Sequence, residues 1–225
     1  MSRVIFVTGT DTGVGKTLLT GLLLYHLREG GCHALAMKPF CSGGRGDARF
    51  LHRLADGELP LDRINPWHFA EPVAPLAAGR RHPGRVFLRE VVEAIRGVGA
   101  TCQCLLVEGI GGLLVPLGEG YWVADLIVRL ECEVLVVSAN RLGTINHTLL
   151  TVEALRGAGV TRIKVVLMRH ARRDASTPTN AAVLSKFLAP VPLFTLGNLG
   201  PNPRSREALK KNEKKFRKVL APLLR

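Results

Sequence analysis

Val4-Ile5-Phe6-Val7-Thr8-Gly9-Thr10-Asp11-Thr12-Gly13-Val14-Gly15-Lys16-Thr17-Leu18-Leu19 is the stretch on which the fold turns. A β-branched apolar run enters a glycine-rich turn, and helical periodicity follows from Thr17 to Arg28 until Gly30-Gly31 stops it. Glycines let a backbone wrap closely round a polyphosphate, and the N–H groups opening the next helix face its negative charge. Thr12, Gly13, Val14 and Gly15 supply that backbone. Lys16 is placed to reach the β- and γ-phosphates, and the Thr17 hydroxyl to join the shell of a Mg²⁺ ion. In the strict phosphate loop four residues separate the first glycine from the Gly-Lys pair. Here Gly9 and Gly15 bracket five.

Outward from this turn, apolar runs alternate with amphipathic stretches. Strands are expected at His33 to Met37, Cys104 to Val107, Glu133 to Val137, Ile163 to Leu167 and Val191 to Leu196. Helices are expected at Ala48 to Leu54, Val86 to Arg96, Asn146 to Arg156 and Ala181 to Leu188, with a Pro-rich irregular stretch from Pro60 to Pro83. The pattern predicts the α/β class, a single-domain doubly wound and mostly parallel sheet flanked by helices. Ligands bind such sheets at the carboxyl ends of the strands. No repeat or linker divides the 225 residues, so one domain spanning 1–225 is expected.

Apolar residues are 47% and charged residues 22%, which excludes global disorder. No apolar run approaches the roughly 18–20 residues of a membrane span, and Met1 to Val7 has no leader pattern, so a cytoplasmic protein is expected. Five cysteines lack metal-ligand spacing and read as buried thiols. Cys102 and Cys104 would share one face of a strand.

The net charge of +13 raises nucleic acid as a partner. Its distribution argues otherwise. Nine Lys/Arg and two Glu fall between Arg204 and Arg225, where Leu209, Phe216, Val219, Leu220 and Leu223 recur at helical spacing. That is a docked amphipathic helix over 204–225 with a basic outer face. A second basic cluster, Arg169, His170, Arg172 and Arg173, follows a strand.

The phosphate loop needs a carboxylate at the end of another strand to help hold the metal. Glu108 closes Cys104-Leu105-Leu106-Val107 and precedes Gly109-Ile110-Gly111-Gly112. Asp47 is a second metal candidate, or a helix N-cap. Lys38 follows a strand and either stabilises a transferring phosphoryl group or is solvated. Ser42 by itself reads as a loop residue.

Together these residues resemble the dethiobiotin synthetase family. The likeness runs in order through Val7 to Thr12, Gly15-Lys16-Thr17, Lys38-Pro39, Ser42-Gly43, Asp47, Asn65-Pro66, Phe69-Ala70-Glu71-Pro72, Val107-Glu108-Gly109, Gly111-Gly112 and Leu142 to His147. The longer phosphate loop is the form this family uses. The resemblance implies an ATP- and Mg²⁺-dependent ligase acting on 7,8-diaminononanoate and CO₂. It implies catalytic roles for Lys16 and Lys38, and metal binding by Thr17, Asp47 and Glu108. Thr12 to Thr17, Glu108 and Gly111 would hold the nucleotide. Thr12, Lys38 and Ser42 would meet substrate. A homodimer is implied, with Thr144, Ile145 and Asn146 reaching the substrate carboxylate in the partner's site.

This sequence departs from the family at Gly13, where a Glu is frequent, and at Met168, where many members place an Asn that reads adenine. The rival readings are a related phosphate-loop ligase on another diamine or carboxylate, and a partition-type regulatory ATPase that binds DNA. The latter carries a lysine five residues before the invariant one, where this chain has Asp11.

Overall fold

Residues 2–80, 85–169 and 174–225 are described in the computed structural model. In chain order, β1 (Arg3–Gly9) leads through the phosphate loop to α1 (Lys16–Glu29), β2 (Ala34–Met37), β3 (Phe40–Ser42) and α2 (Gly46–Leu54). Next come α3 (Leu61–Ile64), β4 (Trp67–Phe69), α4 (Pro75–Gly79), α5 (Leu88–Gly99) and β5 (Cys104–Glu108). Then follow β6 (Pro116–Gly118), β7 (Tyr121–Trp122), α6 (Val123–Leu130) and β8 (Glu133–Ala139). Last are α7 (Thr144–Gly157), β9 (Ile163–Met168), α8 (Asn180–Leu188), β10 (Leu193–Leu196) and α9 (Arg206–Leu223).

Six strands form a wholly parallel sheet in the order β10-β9-β8-β1-β5-β2. Its inner strands read as unbroken apolar runs because both faces are covered. In β1, Ile5 and Val7 pack to one face and Phe6 to the other; in β5, Cys104 and Leu106 oppose Leu105 and Val107. One core lies beneath α5, α6, α7 and α8, through residues such as Ile95, Leu126, Leu155 and Leu184. The other lies beneath α1, α2 and α9, through Leu19, Leu23, Phe50 and Leu220. The chain builds first on one side of β1 and then on the other. The carboxyl ends of β1 and β5 therefore open on the crevice where the direction reverses.

The basic C-terminal segment forms the expected helix. Ser205 caps α9 by accepting a hydrogen bond from the Ala208 N–H at 3.1 Å. Leu209, Phe216, Leu220 and Leu223 are buried while the lysines face outward. The buried Glu213 accepts from Arg217 at 2.8 Å and pairs with His26 of α1 at 2.9 Å, tying α9 to the helix of the phosphate loop. The Arg217 hydrogen bond holds the Glu213 carboxyl below its ordinary range against the opposing effect of burial.

Several expectations need correction. The stretch from 60 to 80 is not irregular; it holds α3, β4 and α4, and β4 pairs with β3 in a small parallel sheet. Elements of three to five residues leave no readable period. The helix α6 is also additional to the expected set: Asp125 accepts from the Trp122 N–H at 2.7 Å, without the Ser or Thr that usually marks such a start. Cys102 and Cys104 do not share a strand face. Cys102 precedes β5, packs in the α5 core and sits over the Val98 and Gly99 carbonyls, whereas Cys104 faces the α1 side. Of the second basic cluster, only Arg169 falls among the described residues; His170, Arg172 and Arg173 lie outside them, as do the last residues of the Pro-rich stretch.

Candidate active site

Over the carboxyl ends of β1 and β5 lies a cavity of about 570 Å³. The phosphate loop forms its floor. Gly15 stands at φ +107 before α1, a left-handed position that a β-carbon would strain, and Met168 of β9 lies directly beneath it. Val14 turns its side chain into the core, so its share of the loop is backbone alone. Thr12 and Gly13 are exposed at the rim.

Lys16 is buried and folds back across the loop, donating to the Asp11 carbonyl at 2.8 Å and the Gly111 carbonyl at 2.6 Å. Burial, aided by the charge of Lys38, pushes its pKa down to about 8. Glu108, Asp11 and Asp47 oppose that shift.

Glu108 ends β5 with 1% exposure, so it is not a solvated strand-end residue. Its Oε1 accepts from Thr17 Oγ1 at 2.6 Å and from Lys38 Nζ at 2.7 Å. Lys38 also donates to the Gly109 carbonyl at 3.1 Å and lies 3.9 Å from Asp47 Oδ2. Burial alone would lower the Lys38 pKa, but the charge and hydrogen bond of Glu108 outweigh it and hold the ammonium protonated. Lys38 is thus an internal cation of the site, not a surface lysine. Asp47 is the second residue of α2 and not its N-cap, which is Arg45. There its negative charge favours the helix dipole.

These donors suit a hard cation. Thr17, Asp47 and Glu108 present oxygens, and Glu108 Oε2 is buried with no hydrogen-bond partner. No group of three or more His, Cys, Asp or Glu side chains clusters as a metal cage among the described residues. Mg²⁺ needs none, since it keeps waters and takes phosphate oxygens. Ser42 Oγ is likewise buried without a partner and lines the cavity.

Two supports of the site went unread in the sequence. Asn65, fully buried, donates its side-chain amide to the carbonyls of Lys38 at 2.8 Å, Pro39 at 3.2 Å and Trp67 at 3.2 Å. Arg45 donates in turn to Asn65 Oδ1 at 3.0 Å. This staple sets the turn that delivers Lys38. Gly43, at φ +77, lies against Pro72, whose Cβ is 2.9 Å from where a glycine β-carbon would stand, and its N–H donates to the Phe69 carbonyl. The quoted motifs around Ser42 and Phe69 to Pro72 are therefore two sides of one cavity wall. Asn65-Pro66 carried the signal, but nothing local said which carbonyls the amide would meet.

The structure brings Thr12, Gly13, Gly15, Lys16, Thr17, Lys38, Ser42, Asp47, Glu108 and Gly111 to one cavity. Thr144, Ile145 and Asn146 do not line it. They are the first turn of α7, which begins two residues earlier than expected, behind Gly143 at φ +90. The Thr144 hydroxyl is committed to Ser138 Oγ at 2.7 Å, and Thr148 joins the same oxygen at 2.8 Å. The Thr144 N–H is bonded to the Arg141 carbonyl at 3.1 Å, which leaves the backbone N–H groups of Ile145 and Asn146 and the exposed Asn146 amide to face an anion there. Arg169 turns away from the cavity into a separate recess with Asn140 and Thr177.

Comparison with known proteins finds a matching family model, named relatives and solved structures of like fold. Residues 3–208 match the model of the AAA domain family. A relative named ATP-dependent dethiobiotin synthetase BioD, from Anaeromyxobacter sp. (strain Fw109-5), is 43% identical over 202 residues, covering 88% of this chain and 91% of its own. Another of that name, from Bacillus licheniformis, is 35% identical over 209 residues, covering 90% and 86%. A solved ParA family ATPase from Chlorobium tepidum TLS matches with a TM-score of 0.56 at 14% identity, over 98% of this chain and 92% of its own. The MinD cell division protein of Aquifex aeolicus matches at 0.55 and 15%, over 97% and 94%. At such identities the last two speak to the fold alone.

Proposed function

The chain belongs to the ATP-dependent dethiobiotin synthetase family, and from that premise we propose how its cavity works. The protein is an ATP-dependent ligase that forms carbon–nitrogen bonds in biotin biosynthesis. The substrates assigned to it are 7,8-diaminononanoate and CO₂. One amine and CO₂ form a carbamate, whose oxygen attacks the γ-phosphorus of ATP and expels ADP. The second amine then attacks the carbamoyl carbon of the mixed anhydride, closing the ureido ring and releasing phosphate.

The observation that carries this reading is the meeting of Lys38 Nζ and Thr17 Oγ1 on Glu108 Oε1 inside the cavity. Lys16 exchanges its two carbonyl partners for phosphate oxygens when ATP enters. The phosphates raise its pKa again and keep it charged. Lys38, held charged between Glu108 and Asp47, neutralises the carbamate and the transferring phosphoryl group. Thr17, Asp47 and Glu108 would hold Mg²⁺. When bound, that ion would draw charge from the transferring group. Thr12 and Ser42 line the substrate end. Val14 and Gly111 contribute backbone to the nucleotide.

A homodimer accompanies this reading. Leu114 and Leu150 are exposed beside His147 on the outer side of α7, and Leu142 is 80% exposed at its start. In that dimer the turn Thr144, Ile145 and Asn146 reaches the substrate carboxylate in the second copy's cavity, with the Ile145 and Asn146 N–H groups at the helix N-terminus and the exposed Asn146 amide as donors. No described helix is long and apolar enough to cross a membrane. Together with the five free cysteines, this supports placing the enzyme in the cytoplasm, as one domain over 1–225.

Phosphate release with Mg²⁺-ATP and bicarbonate, with and without 7,8-diaminononanoate, tests the proposal. Release that depends on the diamine and yields a cyclic urea by mass spectrometry is expected. Release indifferent to the diamine refutes the substrate assignment.

A further inference from the structure

Arg204 enters the active-site cavity from the segment between β10 and α9, and nothing in the reaction above uses it. Its Nη2 donates to Asp47 Oδ1 at 2.6 Å, the shorter of the two cation contacts that Asp47 makes. Its guanidinium carbon lies 5.4 Å from the centroid of the Phe50 ring, one helical turn beyond Asp47 on α2. The seat is rigid from below, because the Phe50 ring packs into space left open by Gly21 of α1. It is also held from behind. Pro201 and Pro203 restrict the segment, the Ser205 N–H donates to the Asn202 carbonyl at 2.9 Å, and Ser205 caps α9.

The cavity's carboxylates are thus already occupied by the chain's own cations. Lys38 sits on Glu108, and Arg204 sits on Asp47. A divalent cation that takes Asp47 must displace Arg204 or share the carboxylate with it. Room for displacement exists, since Arg204 is also a wall of a second recess of about 470 Å³ lined by Tyr25, Arg53, Asp56 and Arg206.

We propose that Arg204 is a positioning residue that holds Asp47 in place in the nucleotide-free enzyme and competes with the divalent cation for its carboxylate. The proposal rests on the assignment of Asp47 to the metal site made above. It gives the C-terminal segment a task in the reaction cycle. Arg204 delays metal capture until the nucleotide phosphates add their oxygens, and the released guanidinium then turns towards the second recess.

The direct readout is Mn²⁺ binding in the presence of ADP, with free Mn²⁺ counted by electron paramagnetic resonance on the full-length enzyme. Arg204→Gln should bind Mn²⁺ about two- to fivefold more tightly than the wild type, the range open to a partly exposed ion pair of good geometry. That gain should shrink in 0.5 M KCl, because the competing pair is screened. A structural role for Arg204 would produce neither change. Arg204→Lys keeps a charge on Asp47 and should retain part of the competition. It also serves as the second variant should the Gln protein prove unstable.

Asp47→Asn is the control, expected to weaken Mn²⁺ binding. Weaker binding in Asp47→Asn with unchanged or weaker binding in Arg204→Gln overturns the competition while leaving the metal assignment intact. Unchanged Mn²⁺ affinity in Asp47→Asn removes Asp47 from the metal site, and the proposal goes with it.

Discussion

Replacing Lys38 by Met tests the reading of the site at its most buried point. The substitution keeps an unbranched stem of similar volume and removes only the ammonium. Glu108, 1% exposed, then loses a 2.7 Å charge partner and keeps one hydroxyl, from Thr17. Breaking a buried pair from one side costs about 3–5 kcal/mol. The surviving Thr17 hydrogen bond places the expected loss at the lower end, about 3 kcal/mol. For a chain of this length that is about 6–12 °C of melting temperature. Urea denaturation without nucleotide measures it, with the slope checked for two-state behaviour. The double variant Lys38→Met/Glu108→Gln removes the orphaned charge while Thr17 can still donate to the amide oxygen. It should recover about 2 kcal/mol relative to additivity. A single variant within about 1 kcal/mol of wild type, or a strictly additive double, would mean that Glu108 is not held by Lys38. Lys38→Met should also abolish turnover while leaving nucleotide binding largely intact, because Lys16 and the loop are untouched.

Further outcomes follow from the same contacts. With Lys16 at about 8 in the free enzyme and restored by phosphate to about 10.5, the proton it has lost above pH 8 must be regained on binding. Nucleotide affinity should therefore fall about eightfold between pH 7.5 and pH 9, with proton uptake in buffer-dependent calorimetry. Lys16→Arg should flatten that profile, and a flat wild-type profile would contradict the lowered value. Gly21→Ala would ordinarily steady a helix, yet here its β-carbon would stand 2.4 Å from the Phe50 ring. A loss of about 1–3 kcal/mol in thermal unfolding is expected, and a gain would deny that contact. Ser138→Ala strands the buried Thr144 and Thr148 hydroxyls, so about 1–3 kcal/mol should be lost in denaturant titration. No loss would show that those hydroxyls find other partners.

Much of this molecule is a matter of local pattern. The run from Val4 to Val7, the glycine turn and the amphipathic stretch after Thr17 each carry a period or a steric demand that stays within a dozen residues. The alternation of such units leads to the parallel sheet on base geometry alone. The same holds for α9, whose apolar stripe is written at helical spacing and is buried in the structure. The ordered motifs, read together, also led to the family that the relatives bear out.

What tertiary structure alone decided is which groups meet. Glu108 is 70 residues from Lys38 and 91 from Thr17, and Arg204 is 157 from Asp47. Asn65 reaches the Lys38 carbonyl across 27 residues and makes the lysine's turn rigid. Each residue, taken singly, fits a solvated surface as well as a buried network. The difference is settled by strand order and helix docking, which remove water and bring unlike charges together. Burial and pairing depend on every element packed round a group, and no window of the chain contains them all. The phosphate loop could be read from its own residues because it is its own neighbourhood, whereas the charges that face it belong to the whole fold.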